Sequence, residues 1–299
     1  MPKAEEIKRH EMQVYDAVAE AFGSTWARYT SRFAADMIDL MFPQKGEAAL
    51  DIAGGTGAAG LRLAERIGKD GSVIITDISP GMLWQAQKEA AARGLTNVST
   101  RAMDAEKLEF PDSTFDLVTC SFGVMFFPGL RSALAEARRV LKPGGRIGFT
   151  VWSDPSRVPF ITLPATAVIT RFAPAPVRLL LKAPAIGRLV LRKILVTRGA
   201  TGPSGFRFSK PGSLEKHLRL AGFHSARREL RAYPMEFATF ENYWDAVVRG
   251  SPAGQLLNRV PAAGLEEITG ELRSKLANPH TGAVYVHNEA SLVLARRPL

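Results

Sequence analysis

The stretch from Leu50 to Gly60 constrains the fold of this chain most strongly, because it places four glycines directly after an apolar run. A helical pattern follows from Leu61 to Ile67 and stops at Gly68. Glycines permit positive φ angles and let a ligand approach the backbone, while the free N–H groups of the next helix point toward that ligand. The pattern therefore predicts a strand, a tight turn and a helix that together hold a nucleotide-like ligand.

Two cofactors fit these glycines, a dinucleotide and S-adenosylmethionine (SAM). The spacing of Gly55, Gly57 and Gly60 satisfies GxGxxG, which dinucleotide sites use. Asp51 precedes the glycines, where its carboxylate would repel a pyrophosphate but could hold the α-ammonium group of SAM. Asp77 ends the next apolar run and can accept hydrogen bonds from both ribose hydroxyls of either ligand. The charge of Asp51 therefore favours SAM, whereas Asp77 indicates adenosine without discriminating.

The centre of the sequence alternates strand and helix patterns in the way that predicts a parallel sheet. Five such units lie between residues 46 and 152, and two further strands are expected at about 226–237 and 290–295. Right-handed crossovers place the carboxyl ends of parallel strands along one edge, and therefore in one crevice. The polar residues at these ends are Asp51, Asp77, Asp104 and Ser121.

These patterns predict an α/β fold with a doubly wound, mostly parallel, Rossmann-like sheet of seven strands. Helices precede the sheet, and a helical insert follows the fifth strand. We divide the chain into an N-terminal helical lid (1–45), a SAM-binding core (46–152), a basic, proline-rich insert (153–212) and a C-terminal completion of the sheet (213–299). Packing of the N-terminal aromatic residues into the core is an equal alternative to a lid.

Positive charge is concentrated in one segment of the chain. The net charge is +10, and the stretch from Pro155 to Leu214 contains ten basic residues and no acidic one. Since the remainder is balanced, this is not the charge distribution of a general polyanion-binding surface. Within the stretch, residues Ala185 to Val196 mix bases with aliphatic side chains. That mixture favours either contact with anionic lipid or a cap whose basic face is solvated.

Composition indicates a cytoplasmic protein, with peripheral membrane contact if the basic segment binds lipid. The N-terminus lacks the apolar core of a signal peptide, and no 18 uncharged apolar residues run together. The single cysteine, Cys120, excludes an intrachain disulfide and a cysteine-rich metal site. We interpret it as a small buried hydrophobic residue and expect no metal.

Four sequence blocks between Leu50 and Trp152 extend the argument, namely LDIAGGTG, TDISPGML, DAEKLEFPDSTFDLVTCSFGV and RVLKPGGR. The residues in these blocks, and the order of the blocks along the chain, resemble those of class I SAM-dependent methyltransferases. More narrowly, they resemble the group of ubiquinone and menaquinone biosynthesis C-methyltransferases (methyltransferase type 11). Ala53 stands where the wider superfamily often has glycine, but AGGTG is typical of the quinone group. The resemblance implies the class I fold and methyl transfer from SAM.

The resemblance also implies a role for each matching residue in binding the cofactor. The methionine part of SAM would be held by Asp51, Ala53, Gly54, Gly55, Thr56 and Gly57. Asp77 would take the ribose hydroxyls, and Ser121 would line the crevice near the methyl group. The adenine would be contacted by Ile78, Met82, Asp104 and Ala105.

Two departures from the quinone group concern the methyl acceptor. First, that group usually has an Arg and an Asn after its fourth strand, where this chain has Met125, Phe126, Phe127 and Pro128. Second, the quinone group lacks the basic insert that this chain contains. We therefore expect a small, apolar or lipid-like acceptor, such as a quinone-type ring, a lipid headgroup or a secondary metabolite. No general base is identifiable from the sequence. The candidates are His10, Tyr15, Tyr29, Asp154, His217 and His224.

Two other functions stay open, and the oligomeric state is left open with them. A SAM-binding regulatory or interaction protein without transfer activity is consistent with the lack of an identifiable base. Nucleic-acid methylation is consistent with the positive charge. Against it, residues 121–124 lack the Asn/Asp-Pro-Pro-aromatic signature of many enzymes that methylate base amino groups. Aromatic residues for base stacking are also scarce in the insert.

Overall fold

The computed structural model describes residues 4–181, 184–197, 204–249, 254–257 and 260–299. Two long helices come first, α1 (Ala4–Ala21) and α2 (Ala27–Met41), as the sequence predicts. The π-helical segment Phe22–Trp26 joins them into one helical path, so Gly23 does not break the helix. This path ends at Phe42, whose φ of 52° is left-handed.

Seven strands form one sheet, which confirms the predicted α/β class and the mostly parallel, doubly wound topology. They are β1 (Ala48–Ile52), β2 (Ser72–Asp77), β3 (Val98–Ala102), β4 (Phe115–Ser121), β5 (Leu141–Trp152), β6 (His224–Phe237) and β7 (Val284–Arg296). The strand order is β3-β2-β1-β4-β5-β7-β6. Strands β1 to β5 pair in parallel, and β7 is antiparallel to both of its neighbours.

The parallel strands are connected by helices α3 (Gly60–Ile67), α4 (Pro80–Ala92) and α5 (Leu130–Val140). At the start of α4 the Ser79 hydroxyl accepts a hydrogen bond from Met82 N, and Pro80 occupies the first turn. Strands β1 and β4 are almost entirely buried, which explains their continuous apolar sequences. Cys120 is also buried, in β4.

Two strands differ in extent from the prediction. Strand β5 begins at Leu141 because residues 142–145 form an irregularity within the strand, at which the pairing with β4 shifts. Gly144 has a φ of 75° there, so the expected turn is present but does not end the strand. Strand β7 begins at Val284. Its first half alternates buried and exposed residues, which hides it from a search for apolar runs.

The insert is helical, as predicted, and consists of α6 (Pro159–Phe172), α7 (Ala175–Leu181) and α8 (Pro184–Thr197). Of its predicted basic residues, Lys182, Arg198 and the side chain of Arg188 lie outside the described part. The remaining helices are α9 (Ser213–Leu220), α10 (Phe240–Val248), α11 (Gly254–Leu257) and α12 (Ala262–Leu276). None of the helices in the described ranges is long and apolar enough to span a bilayer.

A buried ion pair holds the C-terminal part against the sheet. Arg228 on β6 donates from Nε to Glu215 Oε1 of α9 at 2.8 Å. The same guanidinium donates from Nη1 to Ser291 Oγ of β7 at 2.9 Å. Both charged side chains are only 9% exposed, so one cation links three elements through hydrogen bonds.

Candidate active site

A cavity of about 350 Å³ opens at the carboxyl edge of the parallel strands. Ten of the twelve residues predicted to bind the cofactor line it, as right-handed crossovers require. They are Ala53, Gly54, Gly55, Thr56, Asp77, Ile78, Met82, Asp104, Ala105 and Ser121. The N-terminal helices, further core residues and the insert supply the remaining walls, so three of the four predicted parts of the chain contribute to the cavity.

Asp51 and Gly57 do not line the cavity. The Asp51 carboxylate is fully buried behind the turn, where Oδ2 accepts from Gly60 N and Oδ1 accepts from Thr119 Oγ1, each at 2.8 Å. Burial raises the pKa of Asp51 to about 7, although both hydrogen bonds act to lower it. In this position Asp51 shapes the turn. Its direct contact with a methionine ammonium group stays a prediction.

The glycine-rich turn has the conformation that its sequence predicts. Gly55 and Gly57 have φ angles of 55° and 90°, a region that favours glycine. Ala53 adopts a φ of 50°, so the alanine that replaces the usual glycine accepts a left-handed conformation. A Cβ on Gly54 would lie 2.6 Å from Ile75 Cγ2, which leaves no space for a side chain. Glycine at position 54 therefore lets the turn pack directly against β2.

Asp77 faces the cavity with a carboxylate that the backbone orients. Its Oδ2 accepts from Gly55 N and its Oδ1 accepts from Ser79 N, each at 2.9 Å. Burial raises the pKa of this carboxyl, although these backbone hydrogen bonds act to lower it. Each oxygen keeps further acceptor capacity, as two ribose hydroxyls require.

Lys8 connects α1 to two carboxylates, Asp104 and Glu106, at the cofactor end of the cavity. Its Nζ lies 2.7 Å from Asp104 Oδ2 and 2.7 Å from Glu106 Oε2, and its side chain is 15% exposed. Burial acts to lower the pKa of Lys8, but the hydrogen bonds and charges of the two carboxylates raise it overall. Sequence reasoning missed Lys8 because Asp104 is 96 residues away and no local pattern links them.

Glu11 and Tyr15 lie one helical turn apart on α1, and both line the cavity. Burial raises the pKa of Glu11 to about 7. Burial, together with the negative charges of Glu11 and Asp77, also raises the pKa of Tyr15. Among the described residues, no cation forms an ion pair with Glu11. The sequence analysis did not single out Glu11 because its importance depends on how α1 packs.

The other end of the cavity is apolar and aromatic. Trp152 lies between Trp26 and Phe122, with ring centroids 6.0 and 4.2 Å away. Phe126 meets Tyr15 edge-on at 6.2 Å. The insert contributes Ile161, Ala165, Leu195 and the segment 204–206. The polar side chains at this end include the hydroxyls of Tyr15, Thr30, Ser121 and Ser204, and the other side chains named here are apolar or aromatic, so an apolar ring would fit.

The six candidate bases fall into two groups according to whether they line the cavity. His10 and Tyr15 line the cavity, whereas the other four do not. Tyr29 donates its hydroxyl to the backbone of Glu236, and Asp154 pairs with Arg192 and caps a turn. His217 packs against Phe208, and His224 contacts Ser225. No group of three metal-ligating side chains occurs in the part of the chain that the structure describes.

Comparison with known proteins identifies relatives of this chain. The model of the ubiE/COQ5 methyltransferase family matches residues 12–178. Nocamycin O-methyltransferase from Saccharothrix syringae is 32% identical over 267 residues, covering 83% of this chain and 90% of that protein. Aklanonic acid methyltransferase DauC from Streptomyces sp. (strain C5) is 39% identical over 143 residues, covering 48% of this chain. The match spans 65% of that relative's length, just under two thirds.

A solved structure shares the overall architecture. The YcgJ protein from Bacillus subtilis superposes with a TM-score of 0.56, covering 90% of this chain and 99% of that protein. The sequence identity is 17%, so this likeness concerns the fold alone.

Proposed function

Because this chain belongs to the ubiE/COQ5 methyltransferase family, we propose that it transfers the methyl group of SAM to a small, apolar or lipid-like acceptor. The observation that carries this proposal is the division of one cavity into a carboxylate-rich end and an aromatic end. SAM is a sulfonium with a polar nucleoside, which suits the first end, and an apolar acceptor suits the second.

The residues present fit SAM at the carboxylate-rich end. In our proposal Asp77 accepts hydrogen bonds from the ribose hydroxyls, and the turn 53–57 approaches the methionine part. Ile78 and Met82 pack against the adenine, while Asp104 and Ala105 face its amino edge. The cavity lining and the oriented Asp77 carboxylate support these roles. Asp51 and Gly57 would act indirectly, by shaping the turn.

SAM supplies an activated methyl group, and the protein supplies alignment. Methyl transfer is an in-line displacement, so the acceptor atom, the methyl carbon and the sulfur must lie on one axis at near-attack distance. We propose that the N-terminal helical part (residues 1–45), which includes α1, acts as a lid over the cavity. The insert (residues 153–212) would cap the acceptor. Both elements line the cavity, which supports a role in excluding water.

The acceptor is best described as a flat, apolar compound. Two relatives are named for aklanonic acid and nocamycin, and others are named for ubiquinone and menaquinone biosynthesis. A ring stacked near Trp152 and Phe122 would bury a large apolar area next to Ser121. We therefore favour a secondary metabolite or a quinone-type ring over a polar headgroup.

We also propose that the insert brings a cytoplasmic protein into peripheral contact with anionic membranes. Five large apolar side chains of this region are exposed: Phe172, Leu179, Leu180, Ile186 and Leu189. Helix α7 has no buried residue, and exposed Arg178 and Arg192 lie among these apolar side chains. Apolar residues flanked by bases are typical of interfacial helices.

Vesicle flotation tests this membrane contact. Vesicles of phosphatidylcholine with one third phosphatidylglycerol should carry the protein upward, and pure phosphatidylcholine should carry much less. A double variant, Leu179→Ser with Leu189→Ser, should lose flotation. Leu220→Ser, which changes an equally exposed leucine on α9, should not. Equal flotation of both variants would contradict the proposal.

Label transfer tests the enzymatic proposal. Purified protein and methyl-labelled SAM are added to a cell extract, which is then separated into lipid, small-molecule and nucleic-acid fractions. We expect label in the lipid or small-molecule fraction. Asp77→Ala should strongly reduce this label at low SAM concentration, whereas Asp70→Ala, which changes an exposed aspartate outside the cavity, should not. Label in nucleic acid, or no label with SAM binding intact, would contradict the proposed acceptor class.

A further inference from the structure

The charged side chains of the cavity all lie at its cofactor end and are mostly negative. Helix α1 contributes Lys8 and Glu11; Asp77 ends β2, and Asp104 and Glu106 follow β3. Four carboxylates therefore face one lysine. This net negative charge favours binding of a cationic ligand, and it gives no electrostatic stabilisation to a neutral ligand of the same shape.

Glu11 differs from the other three carboxylates in its partners. Asp104 and Glu106 share Lys8, and Asp77 accepts two backbone N–H groups. Glu11 lines the cavity without an ion pair among the described residues, and burial raises its pKa to about 7. A partly buried carboxylate without a cation is held at a cost in free energy, which a cationic ligand would reduce.

SAM and its product differ in charge at one atom. On methyl transfer the bond between sulfur and the methyl carbon breaks, a bond from that carbon to the acceptor forms, and the electron pair of the broken bond stays on sulfur. The positive sulfonium thereby becomes the neutral thioether of S-adenosylhomocysteine. The two molecules are otherwise the same apart from the methyl group, so only charge and one methyl distinguish them.

Building on the proposed function, we infer that Glu11 makes this cavity prefer SAM over S-adenosylhomocysteine and so promotes exchange of the product for new substrate. The preference acts through the electrostatic field of an uncompensated carboxylate, and it requires no contact with the sulfur itself. Glu11 is thus a residue that determines cofactor specificity, and the inference assigns it no part in the displacement.

Titration calorimetry on the full chain at pH 8 tests this inference, with SAM and S-adenosylhomocysteine measured separately. Glu11→Gln should weaken SAM binding by about three- to tenfold and should change product binding by less than about twofold. The matched control is Glu20→Gln, which removes the same charge from an exposed site on α1 outside the cavity. It should leave both affinities unchanged.

The outcomes separate the inference from the proposed function. Equal weakening of both ligands by Glu11→Gln, or no weakening of either, would overturn the inference while SAM binding stands. If the unaltered protein bound neither ligand, the proposed function would fall together with the inference.

The pH dependence gives a second readout. The ratio of SAM affinity to product affinity should rise between pH 6 and 8 as Glu11 loses its proton, and the rise should be smaller in Glu11→Gln. The pKa of Asp51, behind the glycine-rich turn, is also raised to about 7, so part of the rise is expected to remain in Glu11→Gln. His10 lines the cavity next to Glu11 in the sequence, so His10→Asn serves as the second variant. It should retain most of the rise. A rise that persists fully in Glu11→Gln would overturn the assignment.

Discussion

Asp77 shows how a single carboxylate can be positioned before its ligand arrives. Each of its oxygens already accepts one backbone N–H, from Gly55 and from Ser79. These bonds fix the plane of the carboxylate, so little side-chain entropy remains to be lost when ribose binds. The same bonds also tie the glycine-rich turn to the end of β2.

Removing this carboxylate should weaken cofactor binding. We expect Asp77→Ala to reduce the binding free energy of SAM by about 1.5 to 3 kcal/mol, the usual range for hydrogen bonds to a charged group. Calorimetry against Asp70→Ala, an exposed aspartate outside the cavity, measures the difference. An unchanged affinity would show that the ribose lies elsewhere.

Glu11 should make the ligand-free protein less stable at high pH. A carboxyl pKa raised to about 7 means that folding disfavours its charged form, so the penalty is absent at low pH and grows as the pH rises toward 7. Glu11→Gln should therefore raise the free energy of unfolding at pH 8, by up to about 3 kcal/mol. Urea unfolding at pH 8 and pH 5 tests this. A gain of equal size at both pH values would argue against it.

Most of the site could be predicted from sequence because the glycine-rich turn, Asp77 and Asp104 follow strands whose order fixes their edge. Asp51 was placed correctly at a strand end, but the sequence does not show that Thr119 and Gly60 N occupy its carboxylate. Lys8 and Glu11 could not be predicted. Their roles depend on how a helix far from the motifs lies across the cavity.

At the scale of secondary-structure elements, α1 is the wall whose attachment is easiest to test. Lys8 holds its beginning against Asp104 and Glu106, and Trp26, just after the helix, packs near Trp152 at the other end of the cavity. The N-terminal helical path that begins with α1 therefore contacts both ends of the proposed site. Loss of the lysine should free only the cofactor end, because the aromatic contacts do not involve it.

We expect Lys8→Met to accelerate amide hydrogen exchange in the first half of α1 and to weaken SAM binding by about three- to tenfold, since two carboxylates lose their cation. Lys69→Met removes an exposed lysine outside the cavity and should change neither quantity. Unchanged exchange in α1 would mean that packing alone holds the helix in place.

Elements with local signals were predicted well, and elements defined by tertiary pairing were not. Ser79 and Pro80 mark the start of α4 in the sequence itself. The beginning of β7 pairs with β6 and, through one isolated bridge, with Ala277, and its alternating exposure gives no continuous apolar run. Helix α6 contains Pro164 in its interior, which the sequence presents as a break.

At the scale of the whole molecule, the Glu215–Arg228 pair joins the C-terminal part to the sheet. Burial acts to raise the pKa of Glu215, but hydrogen bonds from Arg228 outweigh it and lower that pKa overall. The resulting stability is present above the unfolded-state pKa of glutamate and is lost as the pH falls.

Glu215→Ala should lower the free energy of unfolding by about 3 to 5 kcal/mol, because it leaves a buried guanidinium without its partner. Asp245→Ala breaks the exposed pair with Arg249 and should cost less than about 1 kcal/mol. Denaturant unfolding at pH 7 compares the two variants. Similar small losses would mean that water replaces Glu215.

The architecture as a whole follows from the alternation of strands and helices between residues 46 and 152, which the sequence displays openly. The convergence of α1 and the insert on one cavity does not follow from that alternation. It arises from aromatic packing, such as Trp26 against Phe160 at 4.5 Å, between residues 134 positions apart.

Cys120, the single thiol of the chain, is 1% exposed and directly precedes Ser121 at the cavity. A thiol-reactive dye can modify it only in molecules whose sheet has opened at β4, and burial also raises the pKa of the thiol. The labelling rate of the unaltered protein therefore reports how often the sheet opens at β4, beside the site. A ligand that holds this region closed should lengthen that time, which turns one native residue into a reporter of occupancy.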